Sequence, residues 1–395
     1  MESHVRHGLH LPEPRRREVR LEEGLSVVRP RLLDRPRLVH GHVRQGPDGW
    51  SLPSHARFHS GLHDMSLTDL TRAVITAANA PGLKRVRQLG SQLDSARWER
   101  LCFDPSGTRL LAKDARSSHL RWWNLDTATD VASGSVELKM EPIEALFHGS
   151  SHIVTAGPPV AEAAVTWRPR LMAFSTTDGS LWREETLSAP AIGLAMSRDG
   201  MLLAILERGE ALLWDVAAWK WVRDLLGVEW HVQVKACAFS RDSRFAAVIV
   251  TYYGHDQAAL YLWDLKASSH PWVHPLGFQF AAGVAFHPTR PLLVARCVHE
   301  AVVMDVYERR VLRTFNDDRH YVSNLDFSPD GELMVSSSDT HGFALYHFDT
   351  GEVLFSHSDD SELTTGDAVF SPDGHFIACA QGDGTVGLWA VDPGS

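Results

Sequence analysis

Three charged side chains, Arg100, Glu144 and Asp367, each stand at the start of a short apolar run. An arginine converging with two carboxylates is a set that an enzyme or a small-molecule sensor can use. His55, His59 and His63 are spaced four residues apart, which on a helix would aim three imidazoles at one metal ion. Pro53 and Gly61 interrupt that stretch and it has no apolar face, so no metal site is expected there. The four cysteines, Cys102, Cys237, Cys297 and Cys379, lie within apolar runs and form no C-x-x-C pair. That placement predicts buried free thiols in a reducing compartment rather than a zinc site or a disulfide framework. Asp199, Asp330 and Asp373 each precede a glycine, a turn pattern that the backbone requires without any carboxylate chemistry. The sequence holds no nucleophile elbow, phosphate loop, dinucleotide fingerprint or H-E-x-x-H motif. The expectation is therefore a non-enzyme with no catalytic residue, no cofactor and no metal.

The elements that would position these residues repeat along the chain. A short apolar strand followed by a polar turn occurs seven times: RLCFDPSG (100–107), EALFHGSS (144–151), GLAMSRDG (193–200), ACAFSRDS (236–243), GVAFHPTR (283–290), NLDFSPDG (324–331) and DAVFSPDG (367–374). The aligned residues are Phe103, Phe147, Met196, Phe239, Phe286, Phe327 and Phe370, at successive spacings of 44, 49, 43, 47, 41 and 43. Each copy continues through a second apolar strand and a third that carries a bulky residue: Trp123, Phe174, Trp214, Trp263, Met304, Tyr346 and Trp389. A more polar fourth strand follows, as in 220–226, 309–315 and 352–358. Four strands per unit at this period is the pattern of propeller blades.

ALLWDV (211–216), ALYLWDL (259–265), the two FSPDG turns (327–331 and 370–374) and GDGTVGLW (382–389) resemble the tryptophan–aspartate, or WD-repeat, family over roughly residues 83–395. Blade two (143–187) departs furthest, with MAFSTTDG in place of the usual ending, and the family's Gly-His dipeptide is missing from the starts of the blades. The resemblance implies an all-β, seven-bladed β-propeller that serves as a scaffold for a partner protein or peptide. The seventh unit stops after its third strand, so KRVRQLG (84–90) is expected to close it from the N-terminal side. Periodicity of Leu67, Leu70, Val74 and Ala78, after Ser66 and before Pro81, predicts a short helix over 66–79. The expected domains are thus 1–64, 65–82 and 83–395. The first is a disordered arm, or an upstream stretch for which Met65 is the true start.

Charge narrows the choice of partner. The 395 residues carry a net charge of −10. Residues 1–64 hold 11 Arg, no Lys and 8 acidic residues, which leaves −13 on the rest. An acidic body repels a phosphate backbone, so nucleic acid is not expected. No apolar stretch is long enough for a membrane span and the N-terminus lacks a signal-like apolar region, which predicts a cytoplasmic monomer. The excess of Arg over Lys, 33 to 6, suggests a GC-rich bacterial genome.

On a propeller, the loops between second and third strands share one face, here called the top, with the loops that join consecutive blades. The first class contributes Arg116, His119, Tyr252, Tyr253, His255, His299 and His341. The second contributes Trp98, Trp230, His231, Arg319, His320 and Tyr321. Aromatic residues and arginine are what protein interfaces concentrate, so these thirteen form the expected partner-binding surface. Trp98, Trp230 and Tyr321 lie close enough to an inner strand to serve instead as filler between blades. Arg100, Glu144 and Asp367 would share the channel mouth. They carry the alternative reading, a lactonase-like enzyme or sensor, against a plain salt-bridged channel lining.

Overall fold

The computed structural model describes residues 72–90, 98–114, 118–138, 140, 142–157, 168–207, 209–225, 232–252, 257–267, 270–276, 281–297, 300–316, 322–338, 342–358 and 367–392. All fall in one compact unit, residues 60–395. The expectations for residues 1–64 lie outside them.

The described residues form seven four-stranded antiparallel sheets. Six are consecutive in sequence: blades 1 to 6 span 98–137, 144–186, 191–225, 232–275, 281–316 and 322–357. Blade 7 has three strands within 368–390 and takes its outermost strand, Lys84–Leu89, from before blade 1. Lys84 pairs with Ala390 and Leu89 with Val386. The inner strand Trp98–Phe103 lies beside both Glu144–His148 and Ala368–Phe370, which closes the ring. The structure is thus the seven-bladed all-β propeller read from the repeats.

Alternation explains why these segments are strands. In each blade one set of alternate side chains faces the preceding sheet and the other the following sheet, so the middle strands read as continuous apolar runs. Phe245–Tyr252 and Ala258–Asp264 are buried almost throughout. The buried side chains sort into seven clusters, one between each pair of neighbouring blades. The bulky third-strand column, Trp123 to Trp389, is buried in these wedges.

The hairpins that follow the inner strands explain the recurring Ser and Asp. Ser197, Ser240, Ser328 and Ser371 each donate to the aspartate two residues on, at 2.5, 2.6, 2.6 and 2.6 Å. Each of these hydroxyls also accepts a backbone N–H from the start of the next strand, at 2.8–2.9 Å. The turn closes at a residue with positive φ. It is glycine in blades 3, 6 and 7, and Ser243 (φ 55°) in blade 4.

The helix expected over 66–79 is corrected where it can be seen. Residues 66–71 lie outside the described residues, and residues 72–79 are extended and then turn. Ala73 bridges to Val391, the Ile75 N–H donates to the Gly374 carbonyl at 2.9 Å, and Arg72 pairs with Asp392. Asn79 fixes the turn: its side chain accepts the Thr76 N–H at 2.8 Å and donates to the Val74 carbonyl at 2.9 Å. An edge-strand bridge and an Asx-type turn satisfy backbone groups that a helix would have used internally. The only helical piece among the described residues is the 3₁₀ turn Ala80–Gly82. Ile75, Ala80 and Leu83 still pack into the wedge between blades 6 and 7, beside the closing blade where the helix was expected.

Candidate site at the channel mouth

Seven positions near the start of the inner strands ring the central channel: Arg100, Glu144, Gly193, Ala236, Gly283, Asn324 and Asp367. In blades 1, 3, 4, 5 and 6 the ladder slips by one residue just before this ring. A β-bulge of this kind leaves one residue without a partner across the ladder and re-aims its side chain. In blades 3 and 4 that residue is Ile192 and Lys235.

Two of the three charged residues singled out from the sequence meet. Arg100 Nε lies 3.5 Å from Glu144 Oε2, with about a quarter of each side chain exposed. Arg100 also reaches blade 4, where Nη2 donates to the Lys235 carbonyl at 3.4 Å. Asp367 does something else. Its carboxylate accepts the Leu101 N–H of blade 1 at 2.8 Å and the Asn324 amide of blade 6 at 2.5 Å. Burial pushes the Asp367 carboxyl above its ordinary value, with the Arg100 charge opposing.

Asp326, two residues along from Asn324, repeats the arrangement one blade earlier. It accepts the Phe370 N–H of blade 7 at 2.8 Å and the N–H of Phe327 at 2.8 Å. Burial pushes its carboxyl up to about 7, with the Asp367 charge adding to the effect. An innermost strand has one unpaired edge facing the channel. These two carboxylates satisfy N–H groups on that edge across the blade 6–7 and 7–1 seams, which a buried backbone requires.

Beside this network, a cavity of about 450 Å³ opens between the inner strands of blades 1 to 4. Arg100, Lys113, Glu144, Gln233 and Lys235 give it polar walls, and Ile143, Ile192, Val232 and Val234 apolar ones. Cys102 and Cys237 are near, but burial pushes the Cys102 thiol up to about 12 and the Cys237 thiol higher still. Neither is a thiolate near neutrality, so neither offers a nucleophile. On the opposite face a second cavity, about 460 Å³, lies between blades 4 and 5, lined by Arg241, Phe245, His287, Arg290 and Tyr307 among others. Burial and the Arg290 charge take His287 down to about 4, so its imidazole is neutral. Among the described residues no group of three or more His, Cys, Asp or Glu is placed to hold a metal ion, and no helix is long and apolar enough to cross a membrane.

Few of the expected partner-binding residues can be placed. His119 opens the third strand of blade 1, with Nε2 3.9 Å from Glu137. Tyr252 ends the second strand of blade 4, half buried, with its hydroxyl 3.2 Å from that of Tyr261. Trp98 opens the inner strand of blade 1, its backbone opposite Asp114. Arg116, Trp230, His231, Tyr253, His255, His299, Arg319, His320, Tyr321 and His341 lie outside the described residues. Asn324, Asp326, Lys113 and Lys235 were not singled out from the sequence. The available signal was a charge inside an apolar inner-strand run, as in VQVKACAF (232–239) and NLDF (324–327).

Comparison with known proteins adds a family. No curated protein matches the chain. The family model for the WD domain, G-beta repeat, matches residues 309–341 and 352–390. Each matched stretch runs from the outermost strand of one blade into the inner strands of the next, so the repeat is offset from the blade by one strand. The C-terminal region of the chain therefore carries WD40 repeats, and they lie within the last three blades of a seven-bladed ring.

Proposed function

We propose that this protein is a non-catalytic interaction platform that holds a partner protein or peptide on the top face of the propeller. The WD40 propeller fold commonly serves as a protein-interaction scaffold, although a fold alone does not specify a partner. The observation that carries the reading is the closed ring with its seven apolar wedges. Such a ring is a rigid base, and loops presented together on one face of it would bind at a lower ordering cost. Those loops are where the sequence concentrates His, Tyr, Trp and Arg. The lactonase-like alternative draws less support. Glu144 is paired with Arg100, Asp367 caps backbone and amide groups, and the nearby thiols are held protonated.

The test is capture from native lysate with the full chain as bait, followed by reconstitution with the purified partner. A Tyr253→Ala/His255→Ala/Arg319→Ala/Tyr321→Ala variant alters the top face. Arg241→Ala alters a hairpin on the opposite face and serves as control. Tyr252 is left unchanged because its hydroxyl bonds to Tyr261. A one-to-one complex on gel filtration that the first variant loses about tenfold or more in affinity, and the control retains, supports the reading. A complex lost in the control and kept in the top-face variant overturns it.

A further inference from the structure

We propose that the cavity at the channel mouth binds a small organic anion, a phosphate monoester or a di- or tricarboxylate with a short carbon body, with Lys235 as the principal anchor. This does not depend on the platform reading.

Charge is the first argument. Among the described residues the cavity lining holds three cations, Arg100, Lys113 and Lys235, and one carboxylate, Glu144. That excess stands out in a chain whose net charge is −10 and which holds only six lysines. Glu144 is also already engaged, 3.5 Å from Arg100.

The second argument is the state of Lys235. It sits at the bulge between Val234 and Ala236, so it is taken out of the ladder, and it lines the cavity. Its carbonyl accepts from Arg100, but among the described residues its ammonium has neither a carboxylate nor a hydrogen-bond acceptor. The group is half buried, and burial alone lowers its proton affinity. A partly desolvated ammonium without a partner is unfavourable for the fold. An anion in the cavity would supply the missing charge and acceptors.

The third argument is size and lining. A volume of about 450 Å³ lies within the usual range of small-molecule sites, roughly 300–1,000 Å³. Ile143 and Ile192 supply an apolar wall beside the cations. That combination suits an anionic head on a short carbon body better than a bare ion.

The test uses the full chain and isothermal titration at constant ionic strength with glycerol 3-phosphate, citrate and inorganic phosphate, and glycerol as the neutral control. The expected result is saturable one-to-one binding of glycerol 3-phosphate or citrate with Kd on the order of 1 mM or tighter. Glycerol should give no heat. Lys235→Gln should weaken binding about tenfold or more and Lys235→Arg should largely retain it. Because the ammonium is unpartnered, ligand-free Lys235→Gln should melt at or above the wild-type temperature, so loss of binding there is not loss of fold. The proposal is overturned if none of the three anions saturates when chloride holds the ionic strength constant. It is overturned equally if Lys235→Gln binds as the wild type does, or if inorganic phosphate alone binds.

Discussion

Asp326 and Asp367 are carboxylates in a place where a charge is costly, and each is held because the inner edge of the ring needs acceptors. The consequence for pH is opposite to that of a salt-bridged aspartate. The Asp326 carboxyl titrates in the fold at about 7, well above its ordinary value near 3.9, so the folded chain holds a proton that the unfolded chain has released. This group's contribution to stability is fully present below about pH 4 and is lost as pH rises through about 7. Salt-bridged pairs such as Arg244–Asp264 act in the other direction, since the guanidinium keeps Asp264 below its ordinary value. The informative quantity is therefore a difference. The denaturation midpoint of wild type relative to Asp326→Asn should fall between about pH 4 and about pH 8. An unchanged difference across that range would show that Asp326 is ionised in the fold throughout.

At the scale of one element, the hairpin after each inner strand couples its own blade to the previous one. Gly331 closes the blade 6 hairpin at φ 83°. A Cβ there would come within 2.2 Å of the His287 ring, which belongs to the blade 5 hairpin. The ring is buried against Phe327 and Phe348, at 5.2 and 5.1 Å between centroids. Backbone conformation and close approach therefore both exclude a side chain at this position. Gly331→Ala should lower stability by about 2 kcal/mol or more, read from urea unfolding. Gly149 also has a positive φ but nothing within 4 Å of the added carbon, so Gly149→Ala should cost only about 1 kcal/mol.

At the scale of the molecule, stability depends on closure. The strand Lys84–Leu89 is tied to blade 7 by its ladder, by Arg85 donating to Gln381 at 2.9 Å, and by Gln88 donating to Thr385 at 2.8 Å. It is tied to blade 1 by Arg87, which donates to Asp130 at 2.7 Å. Removing it would uncover Trp123, Val386 and Leu388, which share the wedge of Leu89, and leave a long apolar edge. A chain that begins at residue 72 should melt in one transition close to that of the full chain. A chain that begins at residue 91 should lose that cooperative transition and associate, as calorimetry and light scattering would read. Equal melting of the two would mean that the ring does not need its clasp.

The ring itself was legible in the sequence because it is built from local rules repeated seven times. Strand alternation, turn residues and a fixed spacing act over a few residues each, so Phe103 to Phe370 and Trp123 to Trp389 fell on inner and third strands as read. Counting strands also found the closing segment, since an unpaired edge has to be met. The helix over 66–79 failed for the complementary reason. Its period was compatible with a helix, but an open strand end at Val391 and the Gly374 carbonyl offered that backbone partners from more than 290 residues away. The site was legible only in part. Arg100 and Glu144 could be brought together by knowing that blades 1 and 2 adjoin. That Asp367 and Asp326 cap inner-edge N–H groups, and that a bulge sets Lys235 on the cavity lining, was decided by tertiary structure. A bulge reverses which way a residue points, and burial sets what its charge costs. Neither is a property of the residue's neighbours in sequence.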